Sequence, residues 1–210
     1  MATCEFNRAV SGDRAALLKQ ATQAAHERLD TRIMASDPFA DRSRYGLFVQ
    51  VQSLFHREID ALYGKAELQA LLPDLRLRRR LGLIEQDLAD LGIEPPASHA
   101  AAVLGADIDI PTALGWLYVA EGSNLGAAFL LKEAAKLGLN ETFGARHLAA
   151  APEGRGLHWR RFTAALDAAA LSADEDARAI AGANDAFAHV RRLVERFLPI
   201  LSRSITSQTI

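Results

Sequence analysis

Gly115, Gly122 and Gly126 recur at intervals of seven and four residues in a stretch whose other signals are helical, ALGWLYVAEGSNLGAAFLLKEAAKLG. That spacing stacks all three on one helix face. A glycine in a helix interior costs about 1 kcal/mol relative to alanine, so a stripe of them needs a compensating contact. Two are available. Small residues let a second helix approach backbone to backbone, or a flat ligand lies directly on the helix where side chains would block it. Ser123 and Asn124 favour the ligand, because they place polar groups inside an apolar run. His26 stands alone on the apolar face of a different helix, predicted to point into the core. Together these features predict a planar macrocycle held between an axial imidazole and a glycine-lined helix.

Length and composition narrow the setting. A chain of 210 residues, half of them hydrophobic, fits one large domain able to bury a core without staples. The net charge of −2 gives no reason to expect nucleic acid or an acidic membrane surface as partner. Arg76, Arg78, Arg79 and Arg80 read as a solvated helix face. The one cysteine, Cys4, permits no disulfide within the chain, which suits a reducing cytoplasm. No basic-then-apolar leader opens the sequence. The segment 110–131 is long enough for a membrane span. Pro111, Glu121 and the three glycines make it read as a buried core helix of a soluble, cytoplasmic protein instead.

Apolar periodicity predicts helix after helix. The first spans Asp13 to Met34 and is stopped at Asp37-Pro38. A second runs from Asp41 or Ser43 to Tyr63, and a short one covers Ala66 to Leu72. Another spans Leu75 to Leu91, closed by Gly92. An irregular connection fills 93–109. Pro111 then opens the glycine helix, which should bend near Gly122 and Gly126 and end at Leu137. A loop with one helical turn covers 143–156, a helix Leu157 to Leu171, and Ser172 with Glu175 caps a last helix to Leu198. No strand-length alternation or internal repeat occurs. The expected architecture is all-α: a flexible N-terminus over 1–12, one domain over 13–198, and a polar tail over 199–210.

Three constellations carry chemistry. Asp30, one turn after His26, is placed to hold the imidazole through its second nitrogen, which keeps the ring neutral and a better metal ligand. Lys19 lies about 10 Å before His26 on the same face, where a cation meets a peripheral carboxylate of the macrocycle; alone it reads as a surface lysine. Gln52 and His56 are i, i+4 partners on an apolar face, so each needs a buried polar partner. They form either a structural pair or an anchored water chain that delivers protons, and the Trp159 indole is a candidate member. The third is the glycine stripe. No glutamate precedes a histidine at the spacing of a carboxylate-bridged di-iron bundle. Nucleotide, serine-hydrolase and CxxC motifs are also missing, so electrons for any redox chemistry must come from a separate reductase.

QAAHERLD, VQSLFH, GWLYVAEGSNLGAAFLLK, FGARHLA and PEGRGLHWRRF, in that order, resemble the bacterial heme oxygenases of the short iron-acquisition type. The resemblance implies a heme-oxygenase-like helical bundle with heme sandwiched between a proximal and a kinked distal helix. It implies His26 as the proximal iron ligand with Asp30 behind it. Gly122, Ser123, Asn124 and Gly126 fall on the distal helix, Gln52, His56 and Trp159 in a distal water network, and Lys19 and Tyr118 against the heme propionates. Heme b would be both cofactor and substrate, cleaved to biliverdin, Fe2+ and CO with O2 and electrons from a reductase or ferredoxin. The purpose would be iron acquisition or biliverdin supply. Relatives that form β and δ biliverdin carry asparagine and phenylalanine where this chain has Lys19 and Tyr118, and lysine where it has Glu133. The α isomer is therefore expected here. The implied partners are heme and a redox protein, with no nucleic acid, no membrane and a monomeric state. A heme carrier or sensor without turnover is the competing expectation. A thiamin-pathway hydrolase on a related fold is disfavoured, because Cys4 lies ahead of the first helix.

Overall fold

A computed structural model describes residues 14–97, 104 and 107–200. The expected N-terminal segment 1–12 with Cys4, the residues 201–210 of the expected tail, and part of the 93–109 connection lie outside the described residues. Seven α-helices follow in order: α1 (Arg14–Ala35), α2 (Arg42–Ile59), α3 (Ala66–Leu71), α4 (Leu81–Asp90), α5 (Ile110–Lys136), α6 (Arg155–Ala168) and α7 (Ala173–Phe197). No strand occurs among the described residues, which hold only isolated bridges around Asn140.

Local chemistry sets the helix ends. The Asp41 carboxylate accepts from the Arg44 N–H at 2.8 Å to start α2. Asp109 does the same for α5, with Pro111 in the first turn, where a missing N–H costs nothing. Ser172 and Glu175 form the full capping box of α7. Gly92 and Gly138, at φ +66° and +75°, adopt the left-handed conformation that ends α4 and α5. In each case the next residue reaches back five positions to a helix carbonyl, Ile93 to Leu88 and Leu139 to Ala134.

α7 is the spine. It packs against α5, α1 and α2, while α6 lies on α5 and α1. The α5–α7 contact is backbone to backbone. A Cβ added at Gly115 would fall 2.1 Å from the Ala179 carbonyl oxygen, and one at Gly182 would fall 2.5 Å from that of Thr112. Next to this seam, Trp116 of α5 stacks on Phe55 of α2, with Tyr45, Phe48, Leu114 and Phe162 among the fully buried neighbours.

Several expectations are corrected. The single helix over Leu75 to Leu91 is two pieces, a 3-10 turn over Leu75–Arg78 and then α4. The solvated arginine face holds for Arg76 and Arg79, which are exposed, and fails for Arg78 and Arg80, which are buried, at 2% and 9% exposure. In a continuous helix these two would point about 200° apart, and the break turns both inward. α2 likewise tightens into a 3-10 segment over Asp60–Gly64, which buries Tyr63. α5 is helical through all three glycines. At the other end of the domain, the carbonyls of Leu198 and Pro199 accept from Arg32, Ser36 and Arg44. Those bonds hold the chain at the first residue of the expected polar tail.

Candidate functional site

The glycines of α5 divide into two kinds. Gly115 serves the α7 seam. A Cβ at Gly122 would meet only the rim of Trp159, at 3.6 Å, and one at Gly126 would meet nothing within 4 Å. The expectation of one ligand-facing stripe is therefore corrected for Gly115: it is close packing, whereas about three turns on, at Gly126, no neighbour among the described residues meets that face. Leu125 and Phe129 share this open side within about 100° of arc, and both are exposed, at 43% and 52%. A bare backbone flanked by two exposed apolar side chains is a surface with a missing partner.

α1 supplies the facing chemistry. α1 and α5 both lie against α7 and α6 but barely touch one another. Thr22 and Leu29 are buried, and the Thr22 hydroxyl donates to the Leu18 carbonyl at 2.7 Å. His26, between them, was expected to point into the core. Its side chain is instead 60% exposed, with Nδ1 3.3 Å from the Asp30 carboxylate and the ring edge-on to Phe187 of α7 at 5.8 Å. It stands at the rim because α1 turns only the Leu18–Thr22–Leu29 strip to the bundle. With Nδ1 given to Asp30, Nε2 is the nitrogen with a lone pair to offer. Lys19 is exposed on the same strip. Tyr118 of α5 is buried among core residues. Burial holds its hydroxyl above the ordinary value, and the Thr22 hydroxyl works in the opposite direction. Tyr118 therefore meets α1 one turn from both Lys19 and His26.

Beside the open face, α2, α4, α5 and the 146–148 turn enclose a cavity of about 40 Å³. Gln52, His56, Ser123 and Asn124 all line it, so the structure brings these four together. The Ser123 hydroxyl donates to the Ala120 carbonyl at 2.7 Å. The Asn124 carbonyl accepts from Arg155 at 2.9 Å. Burial, then the neighbouring His147 and Arg80, push the His56 imidazole down to about 3, so it is neutral across the physiological range. Trp159 is corrected: it lies outside this cavity and packs between Tyr118 and Phe162, with centroids 5.5 and 5.6 Å away, behind Gly122. Its distance from Gln52 and His56 in sequence gave no means of placing it.

Three buried polar groups went unread in the sequence. Arg80 and His147 line the cavity, the first hidden in what looked like a solvated run, the second in what looked like a loop. Glu121, noted only as a lone charge, binds Arg78 at 3.1 Å and the Tyr63 hydroxyl at 3.1 Å. It also lies 3.6 Å from His158. The hydrogen bond to Glu121 lifts the His158 imidazole above its ordinary value against the lowering by burial, and Glu153 assists. This network anchors α5 one residue before Gly122. The signal for it in the sequence is simple: a lone acid in an apolar helix requires a buried cation.

Comparison with known proteins places the chain among heme oxygenases. A family model described as heme oxygenase matches residues 13–196. Heme oxygenase PigA of Pseudomonas aeruginosa is 44% identical over 175 residues, which cover 83% of this chain and 88% of that protein. A heme oxygenase of Xanthomonas campestris pv. campestris is 36% identical over 118 residues, covering 53% of this chain and 65% of its own. Among solved structures, the NO- and CO-bound heme oxygenase from Neisseria meningitidis superposes with a TM-score of 0.85 at 41% identity, covering 93% of this chain and 96% of that one.

Proposed function

Since this chain belongs to the heme oxygenase family and is a heme-degrading enzyme, we propose that its substrate lies between His26 of α1 and the open glycine face of α5. One observation carries this placement. Gly126 has nothing within 4 Å of where its Cβ would be, so no contact among the described residues compensates its cost to the helix. A ligand on that backbone does. The family assignment also decides between enzyme and carrier in favour of the enzyme.

Bound heme supplies the iron at which O2 is activated and the meso carbon that is oxidised. The protein's own residues do the rest. His26 presents Nε2 to the iron while Asp30 fixes the ring through Nδ1, at 3.3 Å. Gly122 and Gly126 would leave room for a flat ligand against the α5 backbone, with the rim of Trp159 beside Gly122. Leu125 and Phe129 give apolar cover to the macrocycle. Lys19 and Tyr118 hold the propionates, and their presence supports cleavage to the α isomer of biliverdin. Gln52, neutral His56, Ser123 and Asn124 order water beside the reacting face. Protons then arrive through water, with no strong acid next to the iron. Electrons come from a separate reductase or ferredoxin, since no nucleotide motif is found in the sequence. The described residues hold no helix long and apolar enough to cross a membrane; the cytoplasm and a monomeric state complete the proposal, in the service of iron acquisition or biliverdin supply.

The test is an absorption titration with hemin. The wild type is expected to give a sharp Soret band that decays under O2 with ascorbate or a reductase. His26→Ala should lose the six-coordinate spectrum and turnover together. A variant with wild-type spectrum and turnover would remove His26 as the ligand.

A further inference from the structure

The cavity behind His56 contains more than the water chain proposed above requires. Three of the residues that line it each carry a buried side-chain nitrogen with no hydrogen-bond partner among the described residues: His56 Nδ1, Arg80 Nε and His147 Nε2. A buried polar atom left unpaired costs about 1–3 kcal/mol, and three converging on one cavity mark a place built for a polar occupant. Its volume of about 40 Å³ admits roughly two or three waters, each needing about 10–15 Å³.

The polarity of the wall is set from behind. Asp87 of α4 is fully buried. Its carboxylate accepts from the backbone N–H groups of Arg146 and His147, both at 2.9 Å, and lies 2.7 Å from His147 Nδ1. A carboxylate that receives these donors can only accept, so the imidazole proton sits on Nδ1 and Nε2 faces the cavity as a bare acceptor. Arg80 presents the opposite polarity. Its terminal nitrogen donates to the carbonyls of His147 and Ala149 at 2.8 and 3.1 Å, which locks the guanidinium and leaves Nε–H as a donor at the cavity. The 146–148 turn is anchored by the two backbone N–H bonds to Asp87 and by Arg80 on the His147 and Ala149 carbonyls.

We infer that Asp87, His147 and Arg80 are positioning residues that fix the inner end of the water chain, with water accepting from Arg80 Nε–H and donating to His147 Nε2, in line with His56. The inference rests on the reading of Gln52 and His56 as a water-ordering pair, and its test separates the two. In heme-free protein labelled with 15N, long-range imidazole correlations should show His147 as the Nδ1–H tautomer, with a water cross-peak at its ring. In Asp87→Asn the side-chain amide donates to Nδ1, and the proton should move to Nε2. In the hemin complex, the acid–alkaline transition of the ferric spectrum should shift by about one pH unit in Asp87→Asn and in His147→Phe. An Nε2–H tautomer in the wild type, a dry cavity, or transitions unmoved in both variants would overturn the inference. The tautomer measurement uses wild-type protein and so decides even if a variant does not fold. If Gln52→Leu leaves turnover intact while the tautomer and water are as stated, the parent reading fails and the water site stands.

Discussion

Two glycines on one helix make opposite predictions. Gly115→Ala puts a methyl 2.1 Å from a backbone oxygen of α7, which no side-chain rotation relieves. The helices must separate, at a cost of about 1–3 kcal/mol. Gly126→Ala meets no atom, and should stabilise the heme-free protein by about 0.5–1 kcal/mol through helix propensity alone. Urea midpoints measure both, and a Gly126→Ala variant less stable than wild type would contradict the open face. Gly126→Leu should cut biliverdin yield while leaving the fold intact; normal turnover in that variant would argue against heme lying on this backbone. At the other edge of the site, wild-type product resolved by chromatography should be mainly the α isomer. The combined change Lys19→Asn, Tyr118→Phe and Glu133→Lys should move product towards β and δ, and an unchanged isomer ratio would free these residues from that role.

At the level of elements, α5 is held to two partners by different physics. Its first half is held on α7 by backbone contact at Gly115 and Gly182. Its middle is pinned by Glu121, 2% exposed, to Arg78 at 3.1 Å. Arg78 keeps its bidentate pair with Asp74, so removing Glu121 leaves one guanidinium nitrogen and the buried Tyr63 hydroxyl unpaired, at about 1–3 kcal/mol each. Glu121→Ala should therefore lower the denaturation midpoint steeply, and because the lost anchor adjoins Gly122 it should also broaden the Soret band. Replacing both Arg78 and Glu121 with apolar residues should recover much of the loss. A single variant as stable as wild type would show that the pair contributes nothing to holding α5.

Across the whole molecule, acid stability depends on histidines of opposite sign. His56 drops from an ordinary value of 6.5 to about 3 in the fold, so between these limits the unfolded chain binds more protons than the native one. Stability then falls as pH falls through that window, with a slope of at most about 1.4 kcal/mol per pH unit from this group. His189, lowered by burial, adds in the same direction. His158, raised by Glu121, acts oppositely: its contribution is complete below 6.5 and fades as pH rises through its folded value. Denaturant midpoints measured between pH 4.5 and 6.5 should decline towards acid. His56→Gln should flatten that decline, whereas a slope identical to wild type would mean that His56 is not buried neutral.

Much of this protein is legible without coordinates. Apolar spacing, caps and glycine stops mark the helices to within a few residues, because those signals act on the backbone within a turn or two. The order of motifs also reveals the family. What the chain could not disclose is which neighbour each face meets. Gly115 and Gly126 share a face and a chemistry, yet only the crossing of α7 makes one a packing contact and leaves the other open. Arg78 and Arg80 look like surface charges until a helix break turns them to Glu121 and to the carbonyls of the 146–148 turn. His26 sits at the rim rather than in the core because α1 offers the bundle only its Leu18–Thr22–Leu29 strip. Periodicity sets the direction in which a side chain leaves its helix; the packing of distant helices alone sets what lies at the end of that direction.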